Sequence, residues 1–390
     1  MALKQNTWTL NQWYDQDVAG NVDYTGSGEL FAWGRDNVGS LGLNQSHGTK
    51  ISSPTQIPGS WGANSQFRAK QSQFMLFKSG ELWVWGNNQY GQLGLNNTTH
   101  KSSPTQVPGT TWSTGAINEQ GGTGLIRTDG TLWMLGSDSN GQLGLNNQTS
   151  YSSPKQVPGT TWSEIAGGEG FFLATKTDGT LWSWGENNAG QLGQNNKTLR
   201  SSPIQIPGTT WDQVAAVRDS CFARKTDGTI WSWGVNGGGQ LGQNDKTEYS
   251  SPRQIGSDTT WANLPISVES GSSGPLIATK TDGTLWACGE PGDFGMLGQN
   301  AVNNPASHSS PVQIPGTTWS TTHRPTTSGL SACALRTDGT AWVWGANTGD
   351  RAGMLGLNDQ VSRSSPTQLP GTDWKNMTVS QYGAYGIKEG

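Results

Sequence analysis

Tryptophan is the residue type with most chemistry to offer in this chain, at 20 of 390 residues. An exposed indole can stack on a sugar ring or anchor a protein interface. The spacing argues for packing instead. Seven Trp close a PGTTW-like segment (Trp61, Trp112, Trp162, Trp211, Trp261, Trp319, Trp374), six follow a turn glycine by three, as Trp182 follows Gly179, and five precede a recurring glycine, as Trp184 precedes Gly185. Residues repeated at fixed spacing pack repeat on repeat. Burying one indole removes roughly 150–250 Å² from water, an upper bound of about 4–6 kcal/mol. Trp8 and Trp13 stand outside the pattern.

Other reactive types are sparse or symmetric. Asp129, Asp178, Asp227, Asp282 and Asp338 each precede a glycine at the same place in a repeat. They read as turn formers of two-residue hairpins rather than catalytic carboxylates. The four His residues show no metal-ligand spacing. Cys221, Cys288 and Cys333 lie in strand-like surroundings. An odd, scattered set makes no disulfide framework, so they read as small buried hydrophobes. Gly237–Gly242 fits G-x-G-x-x-G but lacks the strand and helix a dinucleotide site needs. No nucleophile elbow or phosphate loop occurs. Sequons at Asn44, Asn97, Asn147 and Asn196 read as loop asparagines in the absence of a visible secretory signal. The reading assigns no catalytic, cofactor-binding or metal-binding residue.

The elements that must carry these residues follow from an internal repeat. Ser-Ser-Pro ends at Pro54, Pro104, Pro154, Pro203, Pro252, Pro311 and Pro366, and Gly-Gln-Leu-Gly or a variant also occurs seven times. The period is about 49 residues, taken from Gly185 to Gly234. In the cleanest unit, strands are expected at 211–217 (A type), 171–177 (B), 180–185 (C) and 203–207 (D). Four antiparallel strands in seven units, with no helical period, predict an all-β seven-bladed propeller over 28–390. Small residues in A suit the channel, and prolines place D at the outer edge. The chain enters on a C-type strand near Leu30–Trp33 and ends on A- and B-type strands. One blade is therefore expected from both termini, with Leu30–Trp33 paired to Tyr385–Lys388.

Composition excludes several classes. Charged residues are 13% and the formal net charge is −4, with no basic cluster for nucleic-acid phosphates. No apolar run is long enough for a membrane-spanning helix. Segment lengths then point to where function sits. The turn-Gly to Gly step is 6 in all seven units, whereas the C-to-D loop and the stretch after each Trp vary. Alternating strands bring A-to-B and C-to-D connections to one face. That face is expected to carry the binding loops, longest in the last two units, with Asp293, Phe294, Asn303, Asn304, His308, His323, Arg324, Asp350 and Arg351.

The unit D-G-T-L-W-x-W-G-x-N-x-x-G-Q-L-G, followed by S-S-P, resembles the regulator of chromosome condensation repeat family. That resemblance implies a seven-bladed propeller. The exchange-factor activity of the family's founding member is not carried over, since no basic N-terminal tail or GTPase-binding wedge is visible. The regular repeats, low charge and short N-terminal extension look more like repeat proteins of tailed bacteriophages. The resulting expectation is a non-enzymatic structural or interaction protein of the virion, made in the host cytoplasm. Its partners would be other virion subunits. A propeller that binds surface glycan through exposed aromatics is the alternative, and a cellular regulatory scaffold is a second. Residues 1–27 match no repeat and are too short for a core of their own. They are expected to dock the ring on a partner through Trp8, Trp13 and Tyr14.

Overall fold

The computed structural model describes residues 28–267, 274–301 and 307–389. Seven sheets, antiparallel except where Ile266–Ser267 pairs parallel with Thr326–Thr327, surround a central channel. They are numbered here as blades I (66–107), II (112–157), III (162–206), IV (211–254), V (261–314), VI (326–369) and VII (374–388 with 29–57). Blade III shows the plan: strand A at Trp162–Gly167, B at Phe171–Lys176, C at Leu181–Gly185 and D at Arg200–Ile206, from axis to rim. Strand D starts three residues earlier than its prolines suggested, because a bulge opposite Ser183 and Gly185 lets Ser-Ser-Pro join the edge. Closure is as expected. Glu29–Arg35 pairs antiparallel with Gly383–Lys388, with Leu30 opposite Ile387 and Trp33 opposite Ala384.

A blade has an apolar surface on both faces, so each must be covered by a neighbour. In strand C of blade III, Leu181 and Ser183 face one neighbour, while Trp184 faces the other and is fully buried. The Trp184 indole donates to the carbonyl of Gln142 in the loop of blade II, at 2.8 Å. The same link recurs from Trp33 to Met354, Trp85 to Ser40, Trp233 to Gln191 and Trp344 to Met296. In blade V the buried thiol of Cys288 takes that place, 3.4 Å from the carbonyl of Gln240. The glycine after this Trp is obligatory: Gly185 has φ 106°, and a Cβ there would run into the carbonyl of Gly170.

A second device ties A to C near the B-to-C turn. Lys176 ends strand B with its ammonium 4.6 Å from the Trp162 ring and 4.4 Å from the Trp182 ring. Arg127, Lys225, Lys280 and Arg336 repeat this clamp, and Lys388 does so between Trp374 and Phe31. Each clamp is worth about 0.5–2 kcal/mol. The adjoining turns differ from expectation. Lys176 N–H bonds Thr180 and Gly179 N–H bonds Lys176, so Thr177–Gly179 is a three-residue loop with glycine at the left-handed position. The reason is the side chain of Asp178, which accepts from both the amide and the hydroxyl of Thr180. That hydroxyl in turn accepts from the Trp182 indole. The aspartates are turn formers, as their placement indicated.

An asparagine organises the long C-to-D loop in blades I, III, IV and VI. Asn187 accepts from Leu192 N–H and donates to the carbonyls of Asn196 and Thr198. Blade II carries Asp138 there. Its Oδ1 accepts from Leu143, its Oδ2 is buried without a hydrogen-bond partner, and burial pushes its carboxyl up to about 6. A folded pKa above the ordinary 3.8 means ionisation opposes folding, so stability is lost as pH rises through that interval.

Two outcomes are expected in thermal denaturation. Truncation after Gly383 removes the strand opposite Leu30 and abolishes the cooperative transition, whereas deletion of an exposed loop of equal length only lowers Tm. Asp138→Asn raises Tm at pH 8 and leaves it nearly unchanged at pH 4. An equal shift at both pH values would place the effect outside the carboxyl.

Candidate functional site

The two ends of the channel differ in chemistry. At the end where the A strands begin lies a funnel of ≈570 Å³, lined by side chains of blades I, II, III, V, VI and VII. Its lining is polar: Ser65, Gln66, Ser113, Thr114, Ser163 and Asn376 on the strand starts, with Arg68, Glu164 and Lys375 between. Below it the channel narrows to ≈30 Å³, about one water, between Ala69, Ala116, Ala166 and Ala215.

Symmetry breaks in blades I and VI. From Trp162 to Ala166, which pairs with Leu173, is four positions. From Trp61 to Arg68, the matching place opposite Met75, is seven, as is Trp319 to Thr326 opposite Cys333. Three extra residues therefore enter each A strand at its start. The insertion in blade VI carries Arg324 across the mouth. Its Nε donates to Leu264 O, its Nη2 to Val214 O and Pro265 O, each at 2.8 Å, and its Nη1 pairs with the Glu164 carboxylate. One side chain thus joins blades III, IV, V and VI. In blade I, Arg68 stands where blades II to IV have alanine, and donates to Phe67 O and Thr114 Oγ1. Deeper in the channel the buried Lys70 crosses from blade I to Gly167 O of blade III at 2.7 Å, with Glu119 at 3.7 Å.

At the other end the A-to-B turns of blades II, III and IV lock together edge to edge, through Glu119 N–H to Gly168 O, Gln120 N–H to Glu169 O and Glu169 N–H to Arg218 O. This ladder gathers Glu119, Glu169 and Asp219, with Glu186 of the blade III loop beside them. Arg218 lies 2.8 Å from Glu169 and 3.7 Å from Asp219. Gln191 donates to Asp219, while Gln120, Asn140 and Asn188 donate to Glu186. Burial pushes the Asp219 carboxyl well above its usual range, and the charges of Glu169, Glu186 and Glu119 add to this against Arg218. Tyr90, 45% exposed, borders the same turns with its ring against Gly121.

Residues 79–114, 129–175, 178–223 and 227–273 match the regulator of chromosome condensation (RCC1) repeat, and 162–191 matches a second form of it. Those stretches carry RCC1 repeats. No curated protein matches it in sequence. Among solved structures, Prp20p from Saccharomyces cerevisiae is 18% identical with a TM-score of 0.79, covering 93% of this chain and 92% of that one. That structure was described together with binding to Gsp1p and histones. Human WBSCR16 is 19% identical with a TM-score of 0.77, covering 93% and 98%. Yeast RCC1 (Prp20), in complex with Kap60, is 18% identical with a TM-score of 0.77, covering 93% and 89%. At these identities the likeness is one of fold.

The RCC1-type ring scatters the residues expected on the loop face. Asp293 is exposed and Phe294 half-buried in the blade V loop, and Asp350 and Arg351 lie on a short 3₁₀ turn of blade VI. Asp350 pairs with Arg35 of blade VII at 2.6 Å. His308 is the first residue of strand D in blade V, opposite Gly289, rather than a loop residue. His323 and Arg324 sit at the opposite end of the channel, because the extra length after Trp319 falls at the start of strand A and not at its turn. Asn303, Asn304, Trp8, Trp13 and Tyr14 lie outside the described residues. Arg68, Glu164, Lys70 and the acidic group at Glu119, Glu169, Glu186 and Asp219 were not singled out from sequence. Aligning the A strands on their Trp puts Ser65 at the alanine register, so Arg68 comes to light only through its pairing opposite Met75. Among the described residues no three His, Cys, Asp or Glu side chains converge as metal ligands. No helix among them is long and apolar enough to cross a membrane.

Arg324→Met leaves Glu164 and three carbonyls of the mouth unpaired. A loss on the order of 3–5 kcal/mol is expected in chemical denaturation. Arg324→Lys restores only part of it, since one ammonium lacks the planar fork that spans these acceptors.

Proposed function

We propose that this RCC1-type propeller is a non-catalytic binding scaffold that docks a basic protein surface on the face built from A-to-B turns and C-to-D loops. The observation that carries this reading is the locked ladder of turns in blades II to IV. It holds four carboxylates close together, with Arg218 and Lys70 as the nearby cations, at a cost shown by the raised Asp219. A fold that maintains such a concentration of charge has an electrostatic surface ready for a partner of opposite sign. Tyr90 adds the large amphipathic ring typical of an interface anchor. The partners named for the structural neighbours, Gsp1p, histones and Kap60, are proteins, which agrees with a protein-binding role.

Within this reading we assign the ring to the particle of a tailed bacteriophage, with another virion subunit as the partner. The support is the regularity of the seven repeats and the low charge. A multivalent lectin based on Trp platforms is disfavoured by geometry. Of the described Trp residues, those of strands A and C that face neighbouring blades are buried, and the half-buried outer indoles, from Trp133 to Trp342, have a Lys or Arg over the ring.

Carboxyl-to-amine zero-length cross-linking of purified particles tests both levels. The chain is expected in the particles, with cross-links from Glu169, Glu186 or Asp219 to lysines of another subunit, fading as salt rises. Absence from the particles overturns the virion assignment. Cross-links confined to the funnel end overturn the choice of face.

A further inference from the structure

The funnel at the start of the A strands has no part in the protein-docking face, and its chemistry points to a different ligand. Its base holds two guanidiniums, Arg68 and Arg324, and one carboxylate, Glu164. Glu164 is committed to Arg324. Arg68 reaches only neutral acceptors, Phe67 O and Thr114 Oγ1. The group therefore retains one positive charge in a partly desolvated recess. Its effect registers on Arg68, whose guanidinium is pulled down to about 10 by burial and by the Arg324 cation, with Glu164 offsetting part of it. Above this base the walls carry hydroxyls and amides, from Ser113, Thr114, Ser163, Thr322, Gln66 and Asn376. Among the described residues no Phe, Tyr or Trp lines the funnel, so a planar apolar ligand finds no large ring to stack on. The constriction below, with Arg324 and Lys70 spanning the axis, makes it a blind recess rather than a passage. A volume of ≈570 Å³ is that of a small-molecule site.

We propose that the funnel binds a small polyhydroxylated carboxylate, of the size of one acidic sugar ring, with the carboxylate at Arg68 and the hydroxyls on the Ser, Thr and amide walls. A carboxylate supplies the negative charge that the base lacks, in the planar geometry a guanidinium pairs with best. Several hydroxyls match the ring of short polar side chains, which a bare anion leaves unused. Both three-residue insertions of the ring serve this recess. The one in blade I brings Arg68 to an alanine register, and the one in blade VI supplies Thr322, His323 and Arg324. His323 is held over the wall by Ser320 and Thr322, whose hydroxyls lie 3.3 and 3.2 Å from its Nδ1.

Isothermal titration of the full chain with D-glucuronate, D-glucose and inorganic phosphate at low ionic strength tests this. Saturable glucuronate binding is expected, at least tenfold tighter than glucose or phosphate. Arg68→Gln is expected to weaken it at least tenfold. Thr322→Trp, at an exposed position of the wall, is expected to block it by bulk, and provides the test should Arg68→Gln fail to fold. Glucose binding as tightly as glucuronate would overturn the role of the guanidiniums. Phosphate binding as tightly would overturn the role of the walls. Absence of glucuronate binding, or unchanged binding in the folded variants, would overturn the site itself.

Discussion

The bond from a strand-C indole to the loop carbonyl of the preceding blade is the interaction on which the ring depends. A four-stranded sheet of this length cannot cover its own faces, so each blade is stable only against the next. Trp184 shows how this is enforced. Its ring fills the gap between blades II and III, and its N–H would be an unsatisfied buried donor anywhere but against Gln142 O. The loop that supplies this carbonyl is itself fixed by Asp138 of its own blade, through the amide of Leu143. Packing, polar satisfaction and loop conformation are thus one constraint, repeated in five of the seven blades. Blade VII completes it by drawing two strands from each end of the chain, so no open edge is left in the sequence of blades.

Within that regular frame the axle is where the chain departs from its own pattern. The A strands of blades II to IV present alanine to the channel, which lets seven inner strands approach closely. Arg68, Lys70 and Arg324 reverse this choice. Lys70 and Arg324 donate to main-chain carbonyls across the channel, tying blades that are not neighbours in sequence. A strut of this kind resists the shear between blades that nearest-neighbour contacts alone permit. It also puts positive charge where burial makes it costly, and the surplus at Arg68 remains after Arg324 is matched by Glu164. Rigidity of the axle and an unmet demand for an anion come from the same insertions.

The fold was legible because its determinants are local and recur. Asp178-Gly179, the Trp182–Trp184 pair and Ser-Ser-Pro each report a turn, an interface or an edge within a few residues, and seven copies average out irregularity. The terminal closure followed from the order of strand types. Legibility failed where a residue's role depends on register across strands. A ruler from Trp319 to the next turn showed extra length but not its place, and only pairing of Thr326 with Cys333 moves it to the strand's start. The Asp-Gly turns have one residue more than expected because Asp178 caps Thr180, a side-chain choice that the dipeptide alone does not decide. The cation clamp was equally hidden. Lys176 and its counterparts look like ordinary charged residues before a turn until two indoles are seen on either side. The acidic ladder needed three blades at once, since Glu119, Glu169 and Asp219 are about 50 residues apart in sequence.

The two ends of the channel are chemically opposite, and the topology keeps them so. Alternating strands send A-to-B turns and C-to-D loops to one end and the strand-A starts, with the B-to-C turns, to the other. Carboxylates collect at the first, and guanidiniums dominate the second. The narrow alanine section between them, crossed by Lys70 and Arg324, has room for about one water and leaves little room for adjustment. Such an arrangement separates binding events on the two faces sterically while joining them through a stiff axle. Charge placed at one end is therefore felt at the other mainly as a field, and contact-mediated coupling would have to pass through the few side chains that span the channel. Glu164 is the residue best placed to carry it. It belongs to the blade whose turn bears Glu169, and it holds the guanidinium that closes the mouth.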